Sequence, residues 1–580
     1  MNLIKKWQYP LFWLMTFAGV WCVLLWFGTA SLQRQQEVQL FIPQWNVVGP
    51  MLASPGGLSA VLACFLVQSY HSALAVLAIN GIVVATAALL VRLLLEAIGA
   101  RRTESSILAI AAAVALLKAH ISQFYVLDGT VAIVLMLAAV VAYMHCSRLW
   151  AKIIAATISL PLLYMASGQM VAIYGAAILV ASVLKRDRQW YVAAAGALIA
   201  AAIVAIHIRL AVSVPITDGI YSLRYQQSQM HFESFVYYIW LRFAVVLLAA
   251  AVLAALMKLL TGRRHYDVVA PAVASLAVLA LTWYCRPDAY ETKSEEMDRL
   301  ALLEQSDDWD AIINLVGSRA TVDEASLNYL NLALACKGEL ADSMFHYNQI
   351  SPNSLIAEWD RSYYMSVLLS NIHYRIGDLA QSEGYAMEGL TLAKRGGSPL
   401  MMQRLADIAL ARGEKNLADK FIGILSSMPH YRRWQPQLPD ASKQFFANDS
   451  LKLTCDVKTD TLWMAHLDGK PMGRIAWQYL GCSYLLGRKL DAFAEFIRRY
   501  GNYGADGPLP IHFQEALMLI AENDPSILEV AQVSDDVKQR FATFNEVASQ
   551  IFSDTPEARA MLTARFGRSY WFYCFFKRSV

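Results

Sequence analysis

The sequence predicts an all-α protein in two parts: a polytopic helical membrane domain of about nine spans over residues 1–285, then a water-soluble TPR-like helical domain over residues 286–580. Three observations predict it. Of 580 residues, 57% are hydrophobic and 16% charged, against about 25% charged in an ordinary soluble chain. Charge is also divided. Residues 1–285 carry 18 Lys and Arg against 8 Asp and Glu, a balance of +10; the remaining 31 and 38 give −7, which restores the chain's +3. Finally, apolar runs near the roughly 20 residues needed to cross a bilayer recur as far as Tyr284. Amphipathic helical periodicity replaces them beyond Cys285. This pattern rules out or disfavours a soluble enzyme, a disordered scaffold, a secreted disulfide mini-protein and a nucleic-acid binder.

Tyr9–Phe27 is the first run, preceded by Lys5 and Lys6. Gly28, Thr29 and Ala30 make a poor signal-peptidase site, so the helix is read as retained. The long stretch Gly57–Gly99 is read as one span, Ala73–Leu95, because a single crossing keeps Arg101 and Arg102 on the basic side. Pro55–Tyr70 then becomes an interfacial or re-entrant helix, with Ser54 as its cap and Pro55 at its first position. Further spans are expected at Ser106–Ile121, Tyr125–His145, Ile153–Ala166, Gln169–Leu184, Trp190–Val212, Phe235–Leu259 and Val268–Tyr284. Two of them are short and turn back through polar knots, Lys118/His120/Gln123 and Ser167/Gly168/Gln169. Irregular backbone at that depth needs protein or a wet cavity around it. Placing the N-terminus inside leaves Lys5/Lys6, Arg101/Arg102, Arg148/Lys152, Lys185/Arg186/Arg188 and Lys258/Arg263/Arg264 inside, and only Arg34, Lys118 and Arg224 outside. Nine spans starting inside end outside, so the second half is expected in the periplasm of a bacterium.

The soluble half repeats a helix-turn-helix signal at Lys337-Gly338-Glu339-Leu340-Ala341, Ile376-Gly377-Asp378-Leu379-Ala380, Arg412-Gly413-Glu414 and Leu486-Gly487-Arg488. The glycines are 39, 36 and 74 residues apart, close to multiples of the period of about 34 of tetratricopeptide repeats. Glycine ends a helix in the left-handed conformation. Tyr363–Arg375 should pair with Asp378–Lys394, and Leu400–Arg412 with Lys415–Ser427. An irregular helical domain is the plainer alternative. One hairpin is expected at Leu451–Trp463. The aromatic segment Trp571–Phe576 is read as a cap on the helical repeats, or as a contact with the bilayer interface.

Chemistry is thinly signalled. The eight cysteines include no C-x-x-C; Cys336, Cys455, Cys482 and Cys574 would face an oxidising compartment, where three pairings are open. No metalloprotease, Walker A, dinucleotide-binding or hydrolase-elbow motif is present. The polar groups of interest lie on the expected outer side. They are Glu37 in the first outer loop, Asp128 opening the fourth span, Asp218, Arg224, His231 and Glu233 before the eighth, His207 and Arg209 late in the seventh, and Arg242 early in the eighth. Arginine within a span costs about 2.5–3.5 kcal/mol on insertion scales, which makes it a functional hypothesis, and guanidinium matches phosphate as a fork. Carboxylates together with arginines suit transfer from a lipid-phosphate-linked donor: Glu37, Asp128 or Asp218 would take an acceptor proton. Arg209, Arg224, Arg242 and His231 would hold the departing phosphate. The competing readings are snorkelling arginines, a wet Glu37, an Asp128 placed for the helix dipole and a packed His207.

Three segments carry a resemblance. They are Glu37…Leu40-Phe41…Ser54-Pro55-Gly56-Gly57-Leu58…Phe65-Leu66-Val67-Gln68, Leu332–Phe345, and Phe513-Gln514-Glu515-Ala516-Leu517. Together they resemble an uncharacterised bacterial family of multi-pass membrane proteins with a TPR-like C-terminal half, a family without an assigned activity. The membrane half also resembles, in architecture, the GT-C glycosyltransferases, whose first outer loop has interfacial helices and an acidic residue. That likeness implies a transferase using a polyprenyl-phosphate-linked sugar, with Glu37 as base or as ligand to a divalent metal ion. Glu37 stands alone, where those enzymes often have paired acids. The alternative function is a non-enzymatic membrane scaffold that recruits envelope proteins through its repeats.

Overall fold

The computed structural model describes residues 2–122, 125–211, 239–260, 266–319, 322–393, 396–436, 474–501, 508–549 and 556–576. All regular structure among the described residues is helical. Contacts divide the chain into two units. Unit 1 is Met1–Asp298 with Ala393–Pro399 and Ile424–Arg433; unit 2 is Arg299–Leu392, Leu400–Gly423 and Trp434–Val580.

In unit 1 the helices are α1 (Asn2–Phe27), α2 (Trp45–Leu52), α3 (Gly57–Val67), α4 (Ala73–Ile98), α5 (Arg102–Ile121) and α6 (Leu127–His145). Six described helices are long and apolar enough to cross a membrane: Trp7–Phe27, Ala73–Ile98, Arg102–Ile121, Leu127–His145, Trp190–His207 and Asp267–Tyr284. Leu149–Ile158 and Leu160–Ser167 form a pair bent by 45°. A π-helical turn over Ile154–Ile158 and Pro161 at the start of the second piece explain the bend, because each removes a regular backbone bond. Met170–Lys185 is shorter, and Ile239–Leu260 is a further apolar helix. The expected short span Ser106–Ile121 belongs to the 20-residue α5. The four extra residues include Glu104, which is buried and so escapes a hydropathy reading.

The Gly57–Gly99 stretch is indeed broken into α3 and α4. The start of α3 differs from expectation. Gly56, at φ 69°, occupies the cap position, and no side chain caps the helix. Ser54 instead donates its hydroxyl back to Met51 O at 2.7 Å. The ends of the long helices alternate. Tyr9 near the start of α1 donates to Glu96 near the end of α4 at 2.7 Å, and Trp13 Nε1 donates to Thr86 at 3.2 Å. Basic groups collect at that same end. Lys258 Nζ donates to Ile98 O at 3.3 Å, Lys185 Nζ to Met144 O at 3.4 Å, and Arg101 pairs with Asp267 and Lys152 with Asp187.

Helix α7 (Ala289–Gln305) follows the last apolar helix. Lying wholly or mainly in unit 2 are α8 (Glu324–Lys337), α9 (Tyr363–Ile376), α10 (Leu379–Leu392), α11 (Pro399–Ala411), α12 (Lys415–Ser426), α13 (Arg474–Leu486), α14 (Leu490–Tyr500), α15 (Ile511–Ala521), α16 (Asp535–Ser549) and α17 (Tyr570–Phe576). The glycine turns at Gly338, Gly377 and Gly413 are left-handed, with φ of 80°, 96° and 80°. The fourth differs: Arg488, at φ 54°, takes the left-handed position in place of Gly487. The α9/α10 hairpin is closed by a reciprocal pair. Ser370 Oγ donates to Ser382 O at 2.9 Å, and Ser382 Oγ to Ser370 O at 2.8 Å. The first turn leads only to the four-residue helix Leu340–Ser343 and a 3-10 turn, not to a full partner helix. Tyr570 and Trp571 of the aromatic segment are fully buried within unit 2, beside Phe541 and Phe544. The expected hairpin at Leu451–Trp463 lies outside the described residues.

Candidate functional site

The polar groups of unit 1 concentrate at the end where α1 and α5 finish and α4 and α6 begin. After α1 the chain turns at Gly28, whose φ is 124°. A Cβ there would fall 2.1 Å from Glu295 Oε1, so only glycine lets the carboxylate approach. Glu295 accepts from Ala30 N at 2.6 Å and Ser31 N at 2.9 Å. These are the first N–H groups of a short helix, Ala30–Gln33, where backbone donors lack partners. Burial pushes the Glu295 carboxyl up, while the two backbone donors pull it down.

The next turn, Arg34–Val38, supplies a buried ionic triad. Arg34 Nε reaches Glu37 Oε2 at 2.9 Å, and Arg34 Nη1 reaches Asp298 Oδ1 at 2.8 Å. All three residues are only 2–3% exposed. Asp298 is pushed up by burial and held down in part by the Arg34 guanidinium. Tyr431 lies near enough for the Glu37 charge to add to burial in raising its phenol. Close by, Lys118 pairs with Glu291 and donates to Arg286 O at 3.2 Å. Glu291, Glu295 and Asp298 occur at i, i+4 and i+7 on α7, so these three acids share one face of the helix.

A second chain of polar groups runs beneath the loop. Gln35 Nε2 donates to Tyr125 O at 3.1 Å, and the Tyr125 hydroxyl is 3.0 Å from Thr130 Oγ1. Thr130 Oγ1 is 2.6 Å from His120 Nε2. His120 Nδ1 meets Asn80 Oδ1, and Asn80 Nδ2 donates to Tyr70 Oη at 2.9 Å and Val76 O at 2.8 Å. The directions follow from donor counting. Asn80 spends its amide hydrogens on Tyr70 and Val76, so its oxygen accepts from His120 Nδ1–H. A neutral ring then accepts from Thr130 through Nε2, and Tyr125 donates to Thr130. His120, Asn80, Thr130 and Tyr125 are all buried. Both expected polar knots are thus enclosed by protein where they are described. Gly168 takes φ 62°, and Gly56 N donates to Tyr164 O at 3.0 Å.

The structure places the sequence-predicted residues unevenly. Glu37 is paired with Arg34 and is not a wet loop residue. Asp128 is completely buried in the first turn of α6, where the helix dipole favours a carboxylate. Arg209 is exposed near the end of the helix Trp190–Ala211, and Arg242 is half-buried in the first turn of Ile239–Leu260. His207 packs edge-on against Tyr164 at 5.5 Å between ring centroids. Asp218, Arg224, His231 and Glu233 lie outside the described residues. Sequence reasoning missed Arg34, Asn80, and Glu291, Glu295 and Asp298 of α7. The helical spacing of these three acids is the signal in the sequence, and it lies beyond the last span. Among the described residues, no group of three or more His, Cys, Asp or Glu is placed to hold a metal ion, and Cys22, Cys64, Cys146, Cys285, Cys336, Cys482 and Cys574 are all thiols.

Unit 2 holds its own buried polar centres. Glu515, wholly buried, accepts from His512 Nδ1 at 2.9 Å, Tyr570 N at 2.8 Å and Arg540 Nη2 at 3.2 Å. Its carbonyl accepts from Trp571 Nε1 at 2.7 Å. This one residue therefore fastens α17 to α15. Elsewhere Asn371 donates to Glu304 Oε2 at 2.6 Å and accepts from Arg404 at 2.8 Å.

The chain belongs to a family of unknown function, DUF6057, which it matches over residues 4–577. No curated protein and no solved structure matches it.

Proposed function

We propose that this chain is a multi-pass protein of a bacterial inner membrane that serves as a non-enzymatic scaffold. Its N-terminus faces the cytoplasm, and its TPR-like unit 2 recruits envelope proteins in the periplasm. The observation that carries this reading is the internal pairing of Glu37. Glu37, the leading candidate base, is 3% exposed and bound by Arg34, which also holds Asp298. A carboxylate enclosed in this way leaves little room for an acceptor hydroxyl to approach it. The helical hairpins of unit 2, closed at left-handed glycine turns, support a stacked-repeat binding surface. The basic residues gathered at one set of helix ends support the orientation.

A second reading is a GT-C-like transferase that uses a lipid-phosphate-linked sugar, with Glu37 or Asp128 as the proton-accepting carboxylate and Arg209 and Arg242 at phosphate. It is favoured by the buried run from Tyr125 to Asn80. Ionisable and polar groups inside an apolar bundle are costly and commonly functional.

Complementation of a deletion strain separates the two. Under the scaffold reading, Glu37→Gln and Arg242→Ala at equal expression restore the phenotype. Charge reversals at the exposed Glu388 and Lys420 do not. Loss with Glu37→Gln or Arg242→Ala in a correctly folded protein, together with rescue by the unit 2 variants, rejects the scaffold in favour of the transferase. Alkaline phosphatase fused after residue 580 should be active; an inactive fusion, with a bright cytoplasmic reporter at the same position, overturns the orientation.

A further inference from the structure

Helix α1 packs on α4 and leaves a long groove against α5. The groove encloses about 1000 Å³ and is walled by Leu11, Met15 and Val23 on one side and Ile110, Val114 and Leu117 on the other. Apart from Thr16 midway along, its polar groups stand at one end: Gln8, Thr103, Ser106, Arg92 and Arg102. From Arg102 to Leu117 is fifteen residues of helix, or about 22 Å, out of a hydrocarbon core of about 30 Å. Leu11 and Met15 are 55% and 67% exposed, so the apolar wall is open.

The two arginines at the polar end differ. Arg92 is internally satisfied: Nε donates to Glu96 Oε1 at 3.0 Å and Nη1 to Gln8 O at 3.1 Å. Arg102 is exposed and forms no ion pair among the described residues. Trp7, 60% exposed, stands at the same mouth, as an aromatic side chain does at a membrane interface. An exposed cation that forms no ion pair among the described residues, at the head of an apolar slot, suits an amphiphile with an anionic head and a hydrocarbon tail.

We propose that this groove binds an anionic phospholipid from the leaflet at the Arg102 end. Its phosphate sits at Arg102, beside the Thr103 and Ser106 hydroxyls, and its acyl chains lie between α1 and α5. This inference is independent of the scaffold reading. It also lies at the end opposite the buried ionic triad.

Gly19 provides a steric test, because it lines the groove and an added Cβ meets nothing within 4 Å. Full-length protein is purified and exchanged into detergent with equal phosphatidylglycerol and phosphatidylcholine. Retained lipid is then counted by native mass spectrometry. Wild type should keep one phosphatidylglycerol in preference to phosphatidylcholine. Arg102→Gln should lower that preference about tenfold or more, the worth of one charge-assisted contact. Gly19→Phe should lower retention of both lipids while the melting temperature stays unchanged. Arg499→Gln, at a half-exposed pair with Glu495, should change nothing. Equal retention of the two lipids by wild type overturns the proposal, as does an undiminished preference in Arg102→Gln. So does a disulfide-linked dimer of a Met15→Cys, Ile110→Cys variant that forms in place of lipid retention, which would assign the groove to a second copy.

Discussion

Arg34→Met is the most informative single change in unit 1. It keeps much of the side-chain length and removes the cation from two carboxylates, Glu37 at 2.9 Å and Asp298 at 2.8 Å, in a setting where all three residues are 2–3% exposed. Breaking a buried pair by deleting one partner costs about 3–5 kcal/mol, because the remaining charge is stranded. In a unit of this size each kcal/mol is worth about 1.6 degrees, so a fall of roughly 5–8 degrees in melting temperature follows. The pH dependence identifies the mechanism. Burial already raises Asp298, and removing Arg34 takes away the charge that opposes this rise. In the variant the folded state therefore binds protons more tightly than the unfolded state. Its stability deficit is small near the ordinary carboxylate range and grows as pH rises toward the folded values. Replacing Glu37 by Gln and Asp298 by Asn in the same background should restore most of the loss. The assay is tryptophan-fluorescence melting of detergent-solubilised protein at pH 5 and pH 8, with Arg499→Met as the surface control, expected to cost within about 1 kcal/mol. Losses equal to the control, or equal at both pH values, would refute the buried-triad argument.

In unit 2, Gly377→Val should cost on the order of 1–3 kcal/mol, since φ is 96° there and a β-branched residue tolerates it badly. Gly487→Ala should be near neutral, because Arg488 carries the left-handed turn; limited proteolysis rates of the full chain compare the two. Asp407 is pushed up to about 7, chiefly by burial, with Arg404 and Arg375 opposing. A raised folded value means that its contribution is full at low pH and is lost as pH climbs from the ordinary carboxylate range through about 7. Asp407→Asn should accordingly melt higher than wild type at pH 8 and no higher near pH 4; a constant difference would count against the assignment. Glu515→Ala removes the acceptor for His512, Tyr570 N and Arg540 together. It should release α17 to protease at its N-terminal side, whereas an unchanged cleavage pattern would mean that aromatic packing alone holds the segment.

Much of the fold was legible locally, and the polar site was not. The long apolar helices, the break before Ala73 and three of the four left-handed helix ends follow from properties summed over neighbouring residues, such as hydropathy, helix-end chemistry and the conformational range of glycine. The start of α3 at Gly56 and the left-handed Arg488 departed from expectation, because each end of a helix settles by competition among neighbouring residues that differ by fractions of a kcal/mol. The candidate site failed for a different reason. Glu37 reads as a solvent-facing acid until Arg34 and Asp298 are brought beside it, and Arg34 and Asp298 are 264 residues apart. His120 reads as part of a polar turn until Asn80 and Thr130 close around it. The sequence alone determined that apolar helices and an amphipathic helical half exist, because desolvation is paid residue by residue. Only the tertiary structure decided which charges are neutralised, because ion pairing depends on which helix faces meet, and a shift of a few ångströms turns a buried pair into a stranded charge.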